Sequence, residues 1–260
     1  MSVLPLELPD RTAKPRTRGI TMVIDNGIPQ QWFADVLASY GAYIDIVKFG
    51  WGTSLVTADL ARKIDCAHDH DVRCYFGGTL FEKFVIQDRF TAFLDWCRRW
   101  GCDMVEVSNG TIPLTNGEKA AYVRACADEF FVASEVGLKD VARSALLSEA
   151  EWTDAIAEDR EAGADLVITE ARESGRSGIC TPDGDVRQGV VEAVLASGVD
   201  ADKLLFEAPT KALQTHFIKL LGANVNLGNI APADVLGLET LRLGLRSETL
   251  CDFEAMAARA

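Results

Sequence analysis

The sequence predicts a single-domain (β/α)8 barrel, the TIM-barrel form of the α/β class, and three observations support this prediction. Its 260 residues are a normal length for one such barrel. Apolar, β-rich runs alternate with helix-period segments roughly every 25 to 35 residues. No linker rich in Pro, Gly or Ser divides the chain, so the repeated βα units are expected to close into one barrel.

Eight segments have the composition of strands. Their apolar character is nearly continuous, which is typical of parallel strands covered on both faces. In chain order the predicted strands are residues 20–25, 43–48, 72–76, 104–108, 130–135, 166–170, 203–207 and 224–226.

Amphipathic segments between these strands predict helices at residues 30–40, 88–100 and 231–245. In the first, Phe33, Val36 and Leu37 share one stripe, and Gly41 follows as a stop signal. The barrel is expected to span residues 18–260, after a loose N-terminal extension at residues 1–17. An open doubly wound sheet is the alternative, but no G-x-G-x-x-G follows a strand to favour it.

Composition and charge exclude several classes of function. A formal net charge of −13 argues against a nucleic-acid partner, since phosphates need a basic surface. No apolar run approaches the ~18 residues of a membrane span, and no secretory signal opens the chain. Seven scattered cysteines without a C-x-x-C pair indicate buried thiols in a reducing compartment. We therefore expect a cytoplasmic protein.

Polar side chains follow most of the predicted strands, at the end of the barrel where such enzymes build their active sites. Each carboxylate alone could be a structural ion-pair partner, but the set together predicts a functional site. No histidine falls at a strand end, which argues against histidine-based catalysis. The predicted set is Asp25, Lys48, Gly77, Gly78, Thr79, Glu106, Ser108, Asn109, Glu135, Glu170, Arg172, Glu207, Asn226 and Asn229.

Three glutamates end consecutive predicted strands. Glu106, Glu135 and Glu170 supply hard oxygen ligands from neighbouring strands, a pattern suited to Mg2+. Some of these carboxylates must also balance nearby cations. The sequence therefore predicts the metal more firmly than any one ligand.

Cations at the same end predict a small anionic substrate. Lys48 and Arg172 are candidates for gripping phosphate or carboxylate, although Lys48 could instead reach to the rim as a solvated lysine. Lys139 follows the fifth strand and could move a proton. The VNLGNI segment, with Asn226, Gly228 and Asn229, suits a phosphate-binding loop or a turn that needs glycine.

These strand-end segments, taken in order, resemble the phosphosulfolactate synthase family. The resemblance spans residues 18–250, and VKFGWGTS, GGTLFE and FEAP combined with VNLGNI are its most specific parts. The other matching stretches are RGITMVIDNG, VEVSNGT, SEVGLKD, ITEARESG and LETLRLGLRSETL.

The resemblance implies a Mg2+-dependent, homo-oligomeric barrel enzyme that adds sulfite to C3 of phosphoenolpyruvate and yields (2R)-O-phospho-3-sulfolactate. It places Lys139 at the position of the family's proton donor. It makes Lys48, Arg172 and the loop at 226–229 candidates for phosphate and sulfite.

The sequence also departs from the family pattern. Asn109 replaces an acidic residue, Leu138 replaces one of two lysines, Phe76 replaces a common proline, and Thr210 replaces a common glutamine. These departures leave two alternatives open. One is a related lyase that uses another nucleophile or another enol phosphate, and the other is a non-catalytic barrel of the heat-stress type.

Overall fold

Eight short parallel strands surround the axis of the molecule in the computed structural model, which describes residues 6–253. The strands are β1 Thr21–Asp25, β2 Ile46–Phe49, β3 Arg73–Phe76, β4 Met104–Val107, β5 Phe131–Val136, β6 Leu166–Thr169, β7 Leu204–Glu207 and β8 Leu227–Ile230. Seven of them overlap the predicted segments.

The strands form one sheet in the order β3-β2-β1-β8-β7-β6-β5-β4, and every ladder is parallel. Within residues 6–253, β3 and β4 flank the one junction that has no ladder. The Asp103 N–H donates to the Cys74 carbonyl there at 3.2 Å, so the ring is nearly closed. The predicted (β/α)8 barrel is confirmed.

Helices cover the outside of this ring. One 3-10 turn at Gly50–Leu55 follows β2 directly, and another at Pro232–Asp234 begins two residues after the end of β8. The predicted helix at 30–40 is confirmed at its own bounds, and the other two are shorter than predicted. The helices are α1 Gln30–Tyr40, α2 Leu60–His68, α3 Gly78–Val85, α4 Phe90–Arg99, α5 Asn116–Ala127, α6 Val141–Leu146, α7 Glu149–Glu161, α8 Gln188–Ala196, α9 Lys211–Leu221 and α10 Val235–Arg242.

Alternating strand residues form two separate apolar layers. Met22, Tyr75 and Leu205 belong to a small cluster inside the barrel. Val23 and Phe206 belong to the larger cluster between the strands and the helices. Because both layers are apolar, the strands lack the alternating polarity of a half-exposed sheet.

The predicted eighth strand at 224–226 is wrong, because β8 begins at Leu227. The pairing of β8 with β1 contains a bulge: Leu227 pairs with Thr21 and Ile230 with Val23, so Gly228 and Asn229 together oppose one residue of β1. Gly228 has no room for a side chain, because an added Cβ would lie 2.3 Å from Leu205 Cδ2 and would clash with it. Glycine and asparagine are unusual in strands, which explains why the sequence pattern missed this one.

The N-terminal segment is not loose where the structure describes it. Arg11 pairs with Glu239 at 3.1 Å and Arg16 with Asp45 at 2.9 Å, so residues 6–17 pack against the N-terminal ends of the strands. Residues 1–5 of the predicted extension and 254–260 of the predicted barrel lie outside the described residues. None of the helices formed by residues 6–253 combines the length and apolarity needed to cross a membrane.

Candidate active site

A pocket of about 500 Å³ of empty volume, partly open to solvent, lies at the C-terminal ends of the strands; we call it the mouth. No histidine lines it within the described chain. Its lining residues are Ile24, Lys48, Gly50, Trp51, Gly77, Gly78, Thr79, Glu106, Glu135, Lys139, Glu170, Arg172, Glu173, Glu207 and Asn229.

Strand geometry aims the charged side chains at the mouth. Side chains two residues apart share a face, so the residue two positions after an interior apolar side chain also points inward. Lys48 follows Ile46 in this way, and Glu207 follows Leu205. Glu106 and Glu135 are related to Met104 and Ala133 by the same spacing.

Lys48 lies at the floor of the mouth, surrounded by carboxylates. Its Nζ is 3.0 Å from Glu106 Oε2, 3.5 Å from Glu207 Oε1 and 3.7 Å from Glu135 Oε2. Burial opposes the charge, but the attraction of these acidic groups outweighs it and raises the pKa of Lys48 well above its usual value. Lys48 is therefore a buried cation that holds three strand ends together.

Lys139 lies at the side of the mouth, in the loop after β5. Its Nζ is 3.0 Å from Glu135 Oε1 and 3.8 Å from Glu170 Oε2, and the side chain is 19% exposed. Burial opposes its charge, yet Glu135 and Glu170 raise its pKa above the ordinary lysine value. Lys139 is thus an ammonium group with access to the pocket.

Glu135, Glu170 and Glu207 form the metal-binding candidate of the described chain, and we call them the carboxylate trio. One oxygen from each lies within 4.8 Å of the others, and all three residues are buried. The predicted set differs in one member: Glu207 belongs to the trio and Glu106 does not. The two oxygens of Glu106 contact Lys48 Nζ and the Gly78 N–H (2.5 Å).

The trio is electrostatically crowded. Burial, followed by the charges of Glu135 and Glu207, raises the pKa of Glu170 well above its usual value. Burial also opposes ionisation of Glu135, but Lys139 and Lys48 outweigh it and lower its pKa to about 2. Among residues 6–253, Glu170 Oε2 has no hydrogen-bond partner. The arrangement is one that a divalent cation would stabilise.

Arg172 stands at the rim in a left-handed backbone conformation, with φ at 60°. This conformation aims its N–H at two carboxylates, Glu170 Oε1 at 2.5 Å and Glu207 Oε2 at 3.1 Å. Its side chain is 40% exposed and donates to the Lys139 carbonyl at 3.2 Å. The guanidinium therefore reaches both the pocket and solvent.

Five predicted site residues do not line the mouth. Asp25 points outward, where Lys63 Nζ binds it at 2.6 Å. Asn109 donates to the Leu114 carbonyl at 2.9 Å and holds its own loop. Gly228 faces the barrel interior.

Asn226 lies at the opposite end of the barrel. It precedes β8, accepts from the Ile20 N–H at 2.9 Å and donates to the Leu204 carbonyl at 2.9 Å. The fifth residue, Ser108, sits behind the mouth wall and donates to Glu82 Oε1 at 2.6 Å. The other predicted residues, including Asn229 in the bulge, line the pocket.

Sequence reasoning missed several residues near the mouth, among them three with polar or aromatic side chains. Trp51 and Glu173 line the pocket, and Glu82 lies behind its wall with its Oε1 3.9 Å from Lys139 Nζ. Glu82 belongs to the GGTLFE motif, but its position inside a helix gave no reason to place it at a strand end. A glutamate among the buried residues of an apolar helix was the available signal.

Comparison with known proteins agrees with this geometry. A family model described as (2R)-phospho-3-sulfolactate synthase matches residues 9–248. The phosphosulfolactate synthase of Bacillus subtilis (strain 168) is 54% identical over 96% of this chain and 99% of its own length. That of Methanocaldococcus jannaschii is 42% identical over 89% and 94% of the two chains. The protein HEAT-STRESS-ASSOCIATED 32 of Arabidopsis thaliana is 24% identical over 90% and 88%.

Solved structures support the fold. The YdjI aldolase of Escherichia coli K12 aligns with a TM-score of 0.56 over 93% of this chain and 91% of its own, at 12% identity. The carboxyl transferase domain of Rhizobium etli pyruvate carboxylase aligns with a TM-score of 0.58 over 94% and 48%, at 11% identity. From the matching family model and relatives at 40 to 54% identity, the chain belongs to the phosphosulfolactate synthase family of enzymes.

Proposed function

We propose that this enzyme adds sulfite to C3 of phosphoenolpyruvate and forms (2R)-O-phospho-3-sulfolactate. The observation that carries the proposal is the juxtaposition of Lys139 with the carboxylate trio, which puts a proton donor beside a site for a cation. An acid substrate with a phosphate fits a pocket that combines these groups with Arg172 at its rim.

We propose Mg2+ as the cofactor, held by Glu135, Glu170 and Glu207. The three carboxylates supply the hard oxygen ligands that Mg2+ prefers, and the unpartnered Oε2 of Glu170 fits a ligand role among the described residues. When bound, the ion would stabilise negative charge that develops on the substrate carboxylate.

The reaction needs one new carbon–sulfur bond and one proton. The sulfite lone pair attacks C3, the π electrons of the C2–C3 double bond move toward C2 and the carboxylate, and C2 then takes a proton. We assign that proton to Lys139, which lines the pocket and is an ammonium group at neutral pH. No other bond breaks, and the phosphate stays on the product.

The cations divide into two roles in this proposal. Lys48 pairs with Glu106, Glu135 and Glu207, so its role is to hold the floor of the pocket in place. Arg172 is the more accessible cation, and its planar guanidinium suits an oxyanion of the substrate.

The departures from the family pattern lie outside the pocket lining, which supports sulfite over another nucleophile. Asn109 holds its loop, Phe76 packs in the outer core, and the Thr210 side chain caps α9. Leu138 contributes its carbonyl to Ser177 at 2.9 Å. None of these four side chains is among the mouth residues of the described chain.

The test is an assay of the purified protein with Mg2+, phosphoenolpyruvate and sulfite, in which the loss of enol absorbance is followed. We expect turnover that requires both sulfite and the metal, so reactions without sulfite and with EDTA are the controls. Turnover with a different nucleophile but none with sulfite would contradict the proposal in favour of the related lyase.

We also propose a cytoplasmic homo-oligomer. All seven cysteines are free thiols and five are buried, as expected for a reducing compartment. Trp51, Leu55 and Val56 are more than half exposed in the one chain, which suits a surface covered by another copy. Light scattering of the purified protein measures the oligomeric state, and a monomer at micromolar concentration would contradict the proposed homo-oligomer.

A further inference from the structure

Helix α3 places a carboxylate among buried apolar residues. Glu82 is 2% exposed, and Leu80 and Phe81 beside it belong to the core. A buried carboxylate is costly unless it is paired or hydrogen-bonded. Glu82 therefore needs a cationic or hydrogen-bonding partner that offsets the cost of burying its charge.

Two contacts define the position of that carboxylate. Ser108 Oγ donates to Glu82 Oε1 at 2.6 Å, and Lys139 Nζ lies 3.9 Å from the same oxygen. Among the described residues, Glu82 Oε2 has no hydrogen-bond partner. Glu82 Oε1 is thus oriented by the hydrogen bond from Ser108 and faces Lys139. Glu82 Oε2 lacks the hydrogen-bond partner that a purely structural carboxylate would need.

Helix α3 packs very close to β4 at the wall of the mouth. An added Cβ on Gly78 would lie 2.5 Å from both Ser108 Oγ and Glu106 Oε1, so only glycine allows the helix to begin there. Glu82 follows one turn later on the same helix. The close approach of α3 to β4 therefore sets the distance between Glu82 and the pocket.

Lys139 consequently has carboxylates on two sides. Glu135 and Glu170 lie toward the trio, at 3.0 and 3.8 Å, and Glu82 lies toward α3 at 3.9 Å. Thr79 Oγ1 on α3 accepts from Lys139 Nζ at 3.4 Å. Without the groups of α3, the ammonium would have partners only in the trio.

We propose that Glu82, oriented by Ser108, is a positioning residue that holds the Lys139 ammonium between α3 and the carboxylate trio. Its role is to keep the proton donor over the pocket instead of letting it collapse onto Glu135 and Glu170. The inference rests on the proposed function, because that function makes Lys139 the proton donor whose position matters. Glu82 itself is not a pocket-lining residue and acts through the lysine.

Glu82→Gln tests this role because it keeps the shape and the Ser108 contact but removes the charge. We expect kcat with phosphoenolpyruvate and sulfite to fall about 10- to 100-fold while KM for phosphoenolpyruvate changes less than about twofold. Acylation of Lys139, followed by peptide mass spectrometry without substrates, should become slower, because an ammonium group that moves from the pocket onto Glu135 and Glu170 is less accessible to the reagent.

The matched control is Glu239→Gln, which removes another buried carboxylate, paired with Arg11 at 3.1 Å at the opposite end of the barrel. It should change neither kcat nor the labelling rate of Lys139. A Glu82→Gln enzyme whose Lys139 labels at the wild-type rate would overturn the proposal, as would a kcat no lower than that of the control.

Ser108→Ala is the second variant, and it decides the matter if Glu82→Gln does not fold. It leaves the charge but removes the hydrogen bond that orients the Glu82 carboxylate, so a smaller fall in kcat and a slower labelling of Lys139 are expected. Unchanged values of both would overturn the proposal. The labelling rate does not depend on turnover. If the wild-type protein shows no sulfite-dependent reaction, the proposed function fails while this measurement still tests the contact.

Discussion

The two ends of the barrel use carboxylates in opposite ways. At the N-terminal end, Asp45, Asp103 and Asp165 precede alternate strands, and each accepts a backbone N–H of the preceding strand at 2.8 to 2.9 Å. Asn226 precedes β8 and accepts the N–H of Ile20, which immediately precedes β1. These polar groups complete the hydrogen bonding of strand ends that would otherwise be buried without partners.

At the C-terminal end, acidic groups crowd one another instead. The carboxylate trio brings three oxygens within 4.8 Å, and among the described residues Lys48 and Lys139 supply the cationic side chains that offset the repulsion at close range. The difference teaches that the N-terminal end stabilises the fold, whereas the mouth keeps an electrostatic cost that a ligand would relieve. Four substitutions test this contrast.

The largest expected effect is on activity at the mouth. Lys139→Ala should lower kcat about 10²- to 10⁴-fold, because the proton donor is lost, while phosphoenolpyruvate binding measured by calorimetry stays mostly intact. Lys219→Ala, which removes an exposed lysine of α9 paired with Asp252, is the control and should keep wild-type kcat. Near-normal turnover of Lys139→Ala would remove this lysine as the acid.

The largest effect on stability is expected at the opposite end. Arg242 is fully buried and donates to the carbonyls of Ala223 and Val225, both at 2.7 Å. Arg242→Met should lower the free energy of unfolding by about 2–4 kcal/mol, because it leaves these acceptors unpaired. Urea unfolding measures the loss, and kcat per folded molecule should not change. A fall in kcat at full folding would show that the two ends are coupled.

Glu170→Gln should have two effects of opposite kind. Mg2+ affinity, measured by calorimetry, should fall at least about tenfold, as a ligand is lost. In EDTA the variant should be more stable than the wild type by roughly 1–3 kcal/mol at pH 7, since the wild-type protein must either take up a proton at Glu170 when it folds or hold a third crowded charge there.

The sign of the pH dependence follows from the raised pKa of Glu170. The folded protein keeps a proton there that the unfolded chain releases near its ordinary value of 4.5, so wild-type stability falls as the pH rises above that value. The gain from Glu170→Gln should therefore disappear at pH 4. A variant less stable than the wild type in EDTA at pH 7 would contradict the proposed cost of the trio.

The smallest effect is expected from one of the N-terminal acceptors. Asp165→Ala removes the acceptor for the Val132 N–H, which Asp165 Oδ2 receives at 2.8 Å, and should cost about 1–2 kcal/mol. Asp165→Asn keeps an acceptor oxygen and should lose less than half as much. Equal losses in the two variants, measured by urea unfolding, would show that the charge matters more than the hydrogen bond.

The sequence by itself determined the class of the fold and most of the pocket. The spacing of the βα units predicted the barrel, and charged residues at strand ends predicted Lys48, Glu106, Glu135, Glu170, Arg172 and Glu207, all of which line the mouth. These inferences succeed because parallel strands deliver their C-terminal ends to one side, whatever the details of packing.

Only the tertiary structure decided which way individual side chains point and which carboxylates share the trio. Asp25 faces the helices although Lys48 faces the pocket, because strands that are apolar on both faces carry no signal of orientation. Because β8 runs from Leu227 to Ile230, Asn226 precedes it at one end of the barrel and Asn229 lies near the other end. Glu207 replaced Glu106 in the trio, since distances across a closed ring depend on all eight strands and cannot be read from local sequence.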